Sequence, residues 1–204
     1  MQQNYDKMKV ALRALLEGRK FYTALRAMHF AENLHNGVRK DGQPEFSHQV
    51  SQALYAVTLL DLLSFKEETI CVILLHDIIE DKDVTYIQLV NLFGKVIADA
   101  TLKMSKVVDG VRIPDEIYYK NLPNCPIASV AKGFDRIHNL MTMLGGFKVE
   151  KRISYIEETL TKVVPMLKKA RREHPEQIPV YENIKFVMTN QVQLYNALNK
   201  LETA

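Results

Sequence analysis

Apolar side chains recur every three or four positions along nearly the whole chain, and period-two alternation never persists for more than a few residues. A helix turns once in about 3.6 residues and a strand alternates with period two, so this pattern commits the chain to an all-α fold. The spacing predicts helices at about 6–17, 19–35, 48–63, 66–79, 85–94, 95–107, 115–121, 127–143, 151–172 and 179–201. Asn36-Gly37 marks a helix end, because glycine accepts the left-handed conformation common there. Residues 38–47 and 108–114 read as loops, with Ser47 and Thr85 as candidate caps. The most hydrophobic stretch, within 66–79, belongs at the centre of the bundle.

With 204 residues, 47 % hydrophobic and 25 % charged, the chain can bury a core without covalent staples. Two cysteines, Cys71 and Cys125, make neither a disulfide framework nor a thiolate metal site. Cys71 sits inside the apolar run Ile70–Leu75 and reads as a small buried hydrophobe in a reducing, cytoplasmic setting. The first ten residues lack the apolar core of a leader, and no run is long enough to span a bilayer. A net charge of +3 gives no concentrated basic stripe for nucleic acid. The run Lys168-Lys169-Ala170-Arg171-Arg172 falls late in a helix, where cations oppose its negative end.

Three segments carry chemistry. His76-Asp77-Ile78-Ile79-Glu80-Asp81 ends the apolar helix. Burying an ionisable pair there is costly without a partner, and three carboxylates within five residues repel one another unless a cation relieves them. If the helix continues, His76 shares a face with Glu80, and Asp77 with Asp81. From spacing alone a solvated helix end and a metal site stand about level. In the second segment, Asp135 and Asn139 share a face of the helix at 127–143, and Asp135 is either an ordinary partner of Lys132 or Arg136 or part of a site. In the third, His48 follows Arg39-Lys40-Asp41-Gly42-Gln43-Pro44. His35 reads as a helix cap or a rim residue, His138 as structural, and Tyr118 and Tyr119 as core.

In order and spacing these segments resemble the HD superfamily of metal-dependent phosphohydrolases, and more closely the hydrolase domain of RelA/SpoT-type enzymes and the small alarmone hydrolases. The pattern is R-K-x-G-x-P-x-x-x-H, then H-D-x-x-E-D, then D-R-x-H-N-L, and the likeness runs from about Phe30 to Met143. It implies an HD-domain helical bundle over 1–150. From about Gly145 onward no synthetase or regulatory region of that family is recognisable, and 151–204 reads as a C-terminal helical extension packed on the same domain or used for an oligomer contact. The resemblance further implies removal of the 3′-pyrophosphate of guanosine tetra- and pentaphosphate. His48, His76, Asp77 and Asp135 fall on the metal ligands, and Glu80 and Asp81 on the catalytic acids. Arg39, Lys40, Arg136 and Asn139 fall on substrate contacts. The implied ion is Mn²⁺; two imidazoles and two carboxylates also suit Fe²⁺ or Zn²⁺. Rival expectations are another nucleotide substrate (a 5′-nucleotide, a dinucleotide phosphate or an adenosine alarmone) and a non-catalytic alarmone-binding module. The chain departs from the pattern at Glu45-Phe46, where Tyr-Ile is usual, and at Gln49, where Pro is. Glu45 places a negative charge beside a polyphosphate pocket.

Overall fold

A computed structural model describes residues 4–39 and 42–202, the side chains of 200–202 excepted. It is a helical bundle. Helix α1 (Tyr5–Gly18) and helix α2 (Tyr22–Leu34) lead through the Arg39 loop into α3 (Ser47–Thr58). Helix α4 (Lys66–Leu75), α5 (Ile78–Asp81), α6 (Tyr86–Phe93) and α7 (Lys95–Met104) follow. A two-stranded hairpin, β1 (Val107–Val108) with β2 (Val111–Arg112), precedes α8 (Asp115–Asn121). Then come α9 (Pro126–Thr142), α10 (Val149–Glu158), α11 (Val164–Glu173) and α12 (Ile178–Glu202).

Helix α4 is the hub. Every residue from Thr69 to Leu75 is buried, so it has no polar face, as expected of a helix surrounded on all sides. It packs on α2, α3, α7 and α9. Cys71 lies in this core as a free thiol. Helix α12 lies along α9, and at Gly133 it leaves no room for a side chain: an added Cβ would stand 2.7 Å from Ile184 Cγ2. The Tyr181 and Ser129 hydroxyls hydrogen-bond at 2.7 Å across the same seam.

The differences from the sequence expectations have local causes. The helix expected to run through residue 79 stops at Leu75. His76 Nδ1–H donates to Ile73 O at 2.8 Å, taking the carbonyl that a continuing helix would offer to Asp77. Glu80 and Asp81 therefore stand on a separate helix, and the shared-face argument fails. Ser47 does not cap α3; Phe46 holds the cap position without a side-chain bond. Helix α3 ends at Thr58, where a 3₁₀ turn (Leu60–Leu62) takes over. The loop at 108–114 contains the hairpin. The helix expected at 151–172 is divided by a π-helical turn, Thr159–Val163, beside Pro165, which has no N–H to donate. Thr85 does cap α6, in a reciprocal capping box with Gln88.

Candidate active site

The break after α4 turns His76 and Asp77 toward the first turn of α3 and the middle of α9. His48 Nε2 lies 3.2 Å from Asp135 Oδ1. His76 Nε2 lies 3.1 Å from Asp77 Oδ2 and 3.7 Å from Asp135 Oδ1. One donor atom each from His48, His76 and Asp77 falls within 4.8 Å of the others. The four side chains, from three separate stretches of sequence, thus meet at one point.

Several features fit this cluster to a divalent ion. Donors around an ion with bonds of about 2.1 Å stand roughly 3–4 Å apart. The tautomer of His76 is fixed, because a carbonyl only accepts: Nδ1 carries the proton bound to Ile73 O. Its Nε2 is buried and makes no hydrogen bond, although Asp77 is close. His48 Nδ1 lies 2.8 Å from His138 Nδ1. Burial, with the neighbouring His48 adding to it, lowers the His138 pKa to about 3, so His138 is neutral and one of the two rings donates to the other across this contact. Such a partner on the far nitrogen orients a metal-ligating imidazole. The electrostatics point the same way. Burial alone would lower the His76 pKa, but Asp77 and Asp135 outweigh it and raise it to about 9. Burial would raise Asp77, but His76 and His48 hold it at about 2. The cluster therefore demands positive charge, which a proton on His76 or a metal ion can supply.

Asp135 pairs with Lys132, one of the two ordinary partners expected for it, and also faces the cluster. Its Oδ2 pairs with Lys132 Nζ at 2.7 Å and its Oδ1 accepts from Asn139 at 2.7 Å; Lys132 overcomes the cost of burial and holds the carboxyl well below the usual range. Glu80 Oε2 accepts from the Lys106 backbone N–H at 2.9 Å. Burial raises the pKa of both Glu80 and Asp81, and Asp77 adds to the rise in each.

A cleft flanks the cluster in two lobes. The outer, of about 410 Å³, is bordered by Arg39, Glu45, Gln49 and Phe147. The inner, of about 320 Å³, is bordered by Glu80, Lys106, Lys132, Arg136 and Glu158. Asp77, Asp81, Asn139 and Arg39 border both. Lys40 lies outside the described residues.

Arg136 is not poised as expected of a substrate contact. The residue is 2 % exposed, and its guanidinium pairs with Glu158 at 3.0 Å, donates to Thr159 Oγ1 at 3.2 Å and stacks on the Tyr155 ring. Glu45 is likewise not a free charge: Lys82 Nζ bonds both its oxygens at 3.0 and 3.1 Å, and Gly37 N–H donates at 3.1 Å. It ties the Arg39 loop to the segment after α5. His35 is buried at that junction, 3.4 Å from Glu45. Tyr118 and Tyr119 are core. His138, read from the sequence as structural, is buried behind the His48 ring and borders neither lobe. Lys106 and Glu158 gave no signal at all.

No family model matches the chain. It is 33 % identical over 146 residues, 67 % of its length, to the bifunctional (p)ppGpp synthase/hydrolase SpoT of Escherichia coli K12. It is 32 % identical over 154 residues, 69 % of its length, to the guanosine-3′,5′-bis(diphosphate) 3′-pyrophosphohydrolase of Aquifex aeolicus. The chain spans 20 % of the length of each of these relatives. Among solved structures, it superposes on a metazoan SpoT orthologue described as hydrolysing ppGpp, with a TM-score of 0.66, 16 % identity, and coverage of 84 % of this chain and 94 % of that one. The chain thus shares the helical hydrolase-domain fold, and its sequence is related to the SpoT-type enzymes. Among the described residues no helix is long and apolar enough to cross a membrane.

Proposed function

We propose that this chain, a relative of the SpoT-type enzymes, hydrolyses guanosine 3′,5′-bis(diphosphate) at the 3′-oxygen, giving GDP, or GTP from the pentaphosphate, and pyrophosphate. The observation that carries this reading is the convergence of His48, His76, Asp77 and Asp135 beside Glu80 and Asp81. These four residues would hold one divalent ion. The mixed nitrogen and oxygen donors suit Mn²⁺, with Fe²⁺ and Zn²⁺ as close competitors. When bound, such an ion polarises a phosphoryl oxygen and activates water.

The chain's own residues supply the rest. Water forms a bond to the phosphorus attached to the 3′-oxygen, and that phosphorus–oxygen bond breaks. Glu80 and Asp81 take the proton from the attacking water and return one to the leaving 3′-oxygen, a task favoured by carboxylates whose affinity for protons is raised. Asn139 holds Asp135 and reaches both lobes. Arg39, with Lys40 beside it in sequence, contacts the nucleotide from the outer lobe; a guanidinium both pairs with phosphate and stacks on a base. Arg136 acts indirectly, by fixing α10 against α9. Residues 1–150 supply the proposed ligands and catalytic acids as the hydrolase domain, and the C-terminal extension assigned to 151–204 adds Tyr155 and Glu158 of α10 to the inner lobe. Cys71 and Cys125, both free thiols, accord with work in the cytoplasm.

The test is to incubate the metal-stripped chain with Mn²⁺ and guanosine tetraphosphate and to follow pyrophosphate and GDP. Release of both in equal amounts is expected. Tight nucleotide binding without turnover would replace this reading with a non-catalytic sensor, and turnover of an adenosine or dinucleotide analogue in its place would redirect the substrate.

A further inference from the structure

Gln49 follows His48 on the first turn of α3, at a position where the pattern quoted above has proline. Its side chain is 2 % exposed, and its Nε2 donates to Asp77 Oδ2 at 3.2 Å. Its Oε1 is buried and makes no hydrogen bond. Burying an amide with half its capacity unused is unfavourable, so the bond to Asp77 must hold it in place. That bond also fixes which end of the amide faces the carboxylate, because the reverse orientation would oppose two acceptors.

Asp77 needs such support. It sits in the break between α4 and α5, at φ −94° and ψ −1°, where no regular helix constrains its side chain. The oxygen held by Gln49 is the same one that lies 3.1 Å from His76 Nε2.

We propose that Gln49 is a positioning residue of the metal centre, fixing the rotation of the Asp77 carboxylate so that it faces the two imidazoles. The inference rests on reading the cluster as a divalent-ion site. Proline at this position cannot make the bond, so the device belongs to this chain's version of the site.

The experiment titrates Mn²⁺ into the metal-stripped parent, Gln49→Met and Gln49→Pro by calorimetry, and records melting with and without Mn²⁺. Methionine matches the volume without a donor. Proline falls in the first helical turn, where backbone N–H groups lack intrahelical partners, so the two variants delete the amide by independent routes. Loss of an outer partner of a metal ligand typically weakens metal binding about 10–100-fold. That loss is expected in each folded variant, with a smaller Mn²⁺-induced rise in melting temperature. A role in packing alone would lower the metal-free melting temperature and leave the Mn²⁺ dissociation constant unchanged, which would overturn the proposal. A parent that takes up no Mn²⁺ would overturn the metal reading itself, and the inference with it.

Discussion

The two lobes of the cleft are built on opposite plans. The inner lobe is walled by helices α9 and α10, and its charges are cross-linked: Lys132 to Asp135, Arg136 to Glu158, and Lys106 to both Glu158 and Asp115. The outer lobe is walled by a loop that hangs from α2 and α3 and is secured chiefly through Glu45. Chemistry requires reacting groups held in one geometry, and the cross-linked inner lobe is built to that requirement under the function proposed above. Recognition can be carried on a loop braced by a rigid scaffold, and the outer lobe has that form. Substitutions in the two lobes should therefore differ in kind.

The largest effect is expected where the lobes meet. Asp77→Ala should abolish Mn²⁺ uptake and turnover together, read by calorimetry and pyrophosphate release; undiminished turnover would remove Asp77 from the site. Next, Glu80→Gln in the inner lobe should keep the ion and lower kcat by roughly 10²–10⁴-fold, the usual contribution of a general acid or base. Steady-state rates at saturating Mn²⁺ decide this.

Glu158→Gln should destabilise the fold by about 2 kcal/mol, less than the roughly 3–5 kcal/mol of fully buried pairs, because Glu158 is partly exposed. This deficit should depend on pH. Burial alone would raise the Glu158 pKa, but Arg136, Tyr119 and Lys106 outweigh it and hold it at about 2. The stabilisation is therefore complete above the ordinary glutamate value of 4.5 and fades as pH falls from there toward 2. Urea melts of parent and variant at pH 7 and pH 3 should show the gap closing. The smallest effect belongs to the outer lobe. Arg39→Ala should raise KM about tenfold, roughly 1.4 kcal/mol, with kcat nearly kept. A fall in kcat with KM unchanged would erase the distinction between the lobes.

What could be read in advance follows the same division. Helix positions, the central α4 and the Thr85 cap depend on neighbours close in sequence, and they stood in the residue pattern. The convergence of His48, His76, Asp77 and Asp135 came from motif order, not from physics, since nothing local says which helices face one another. The end of α4 depended on a single bond from His76 to Ile73 O, which no periodicity reveals. The π turn did carry a signal, Pro165, that a reading of one continuous helix passed over. The roles of Arg136 and Glu45 were misjudged because their partners, Glu158 and Lys82, lie 22 and 37 residues away.

The fit of Ile184 against Gly133 reaches further than packing. Asp135 stands two residues from that glycine on the same helix, so the helix that carries it is held from behind by α12. Helix α12 therefore forms the backstop of the helix that places Asp135 beside His48 and His76.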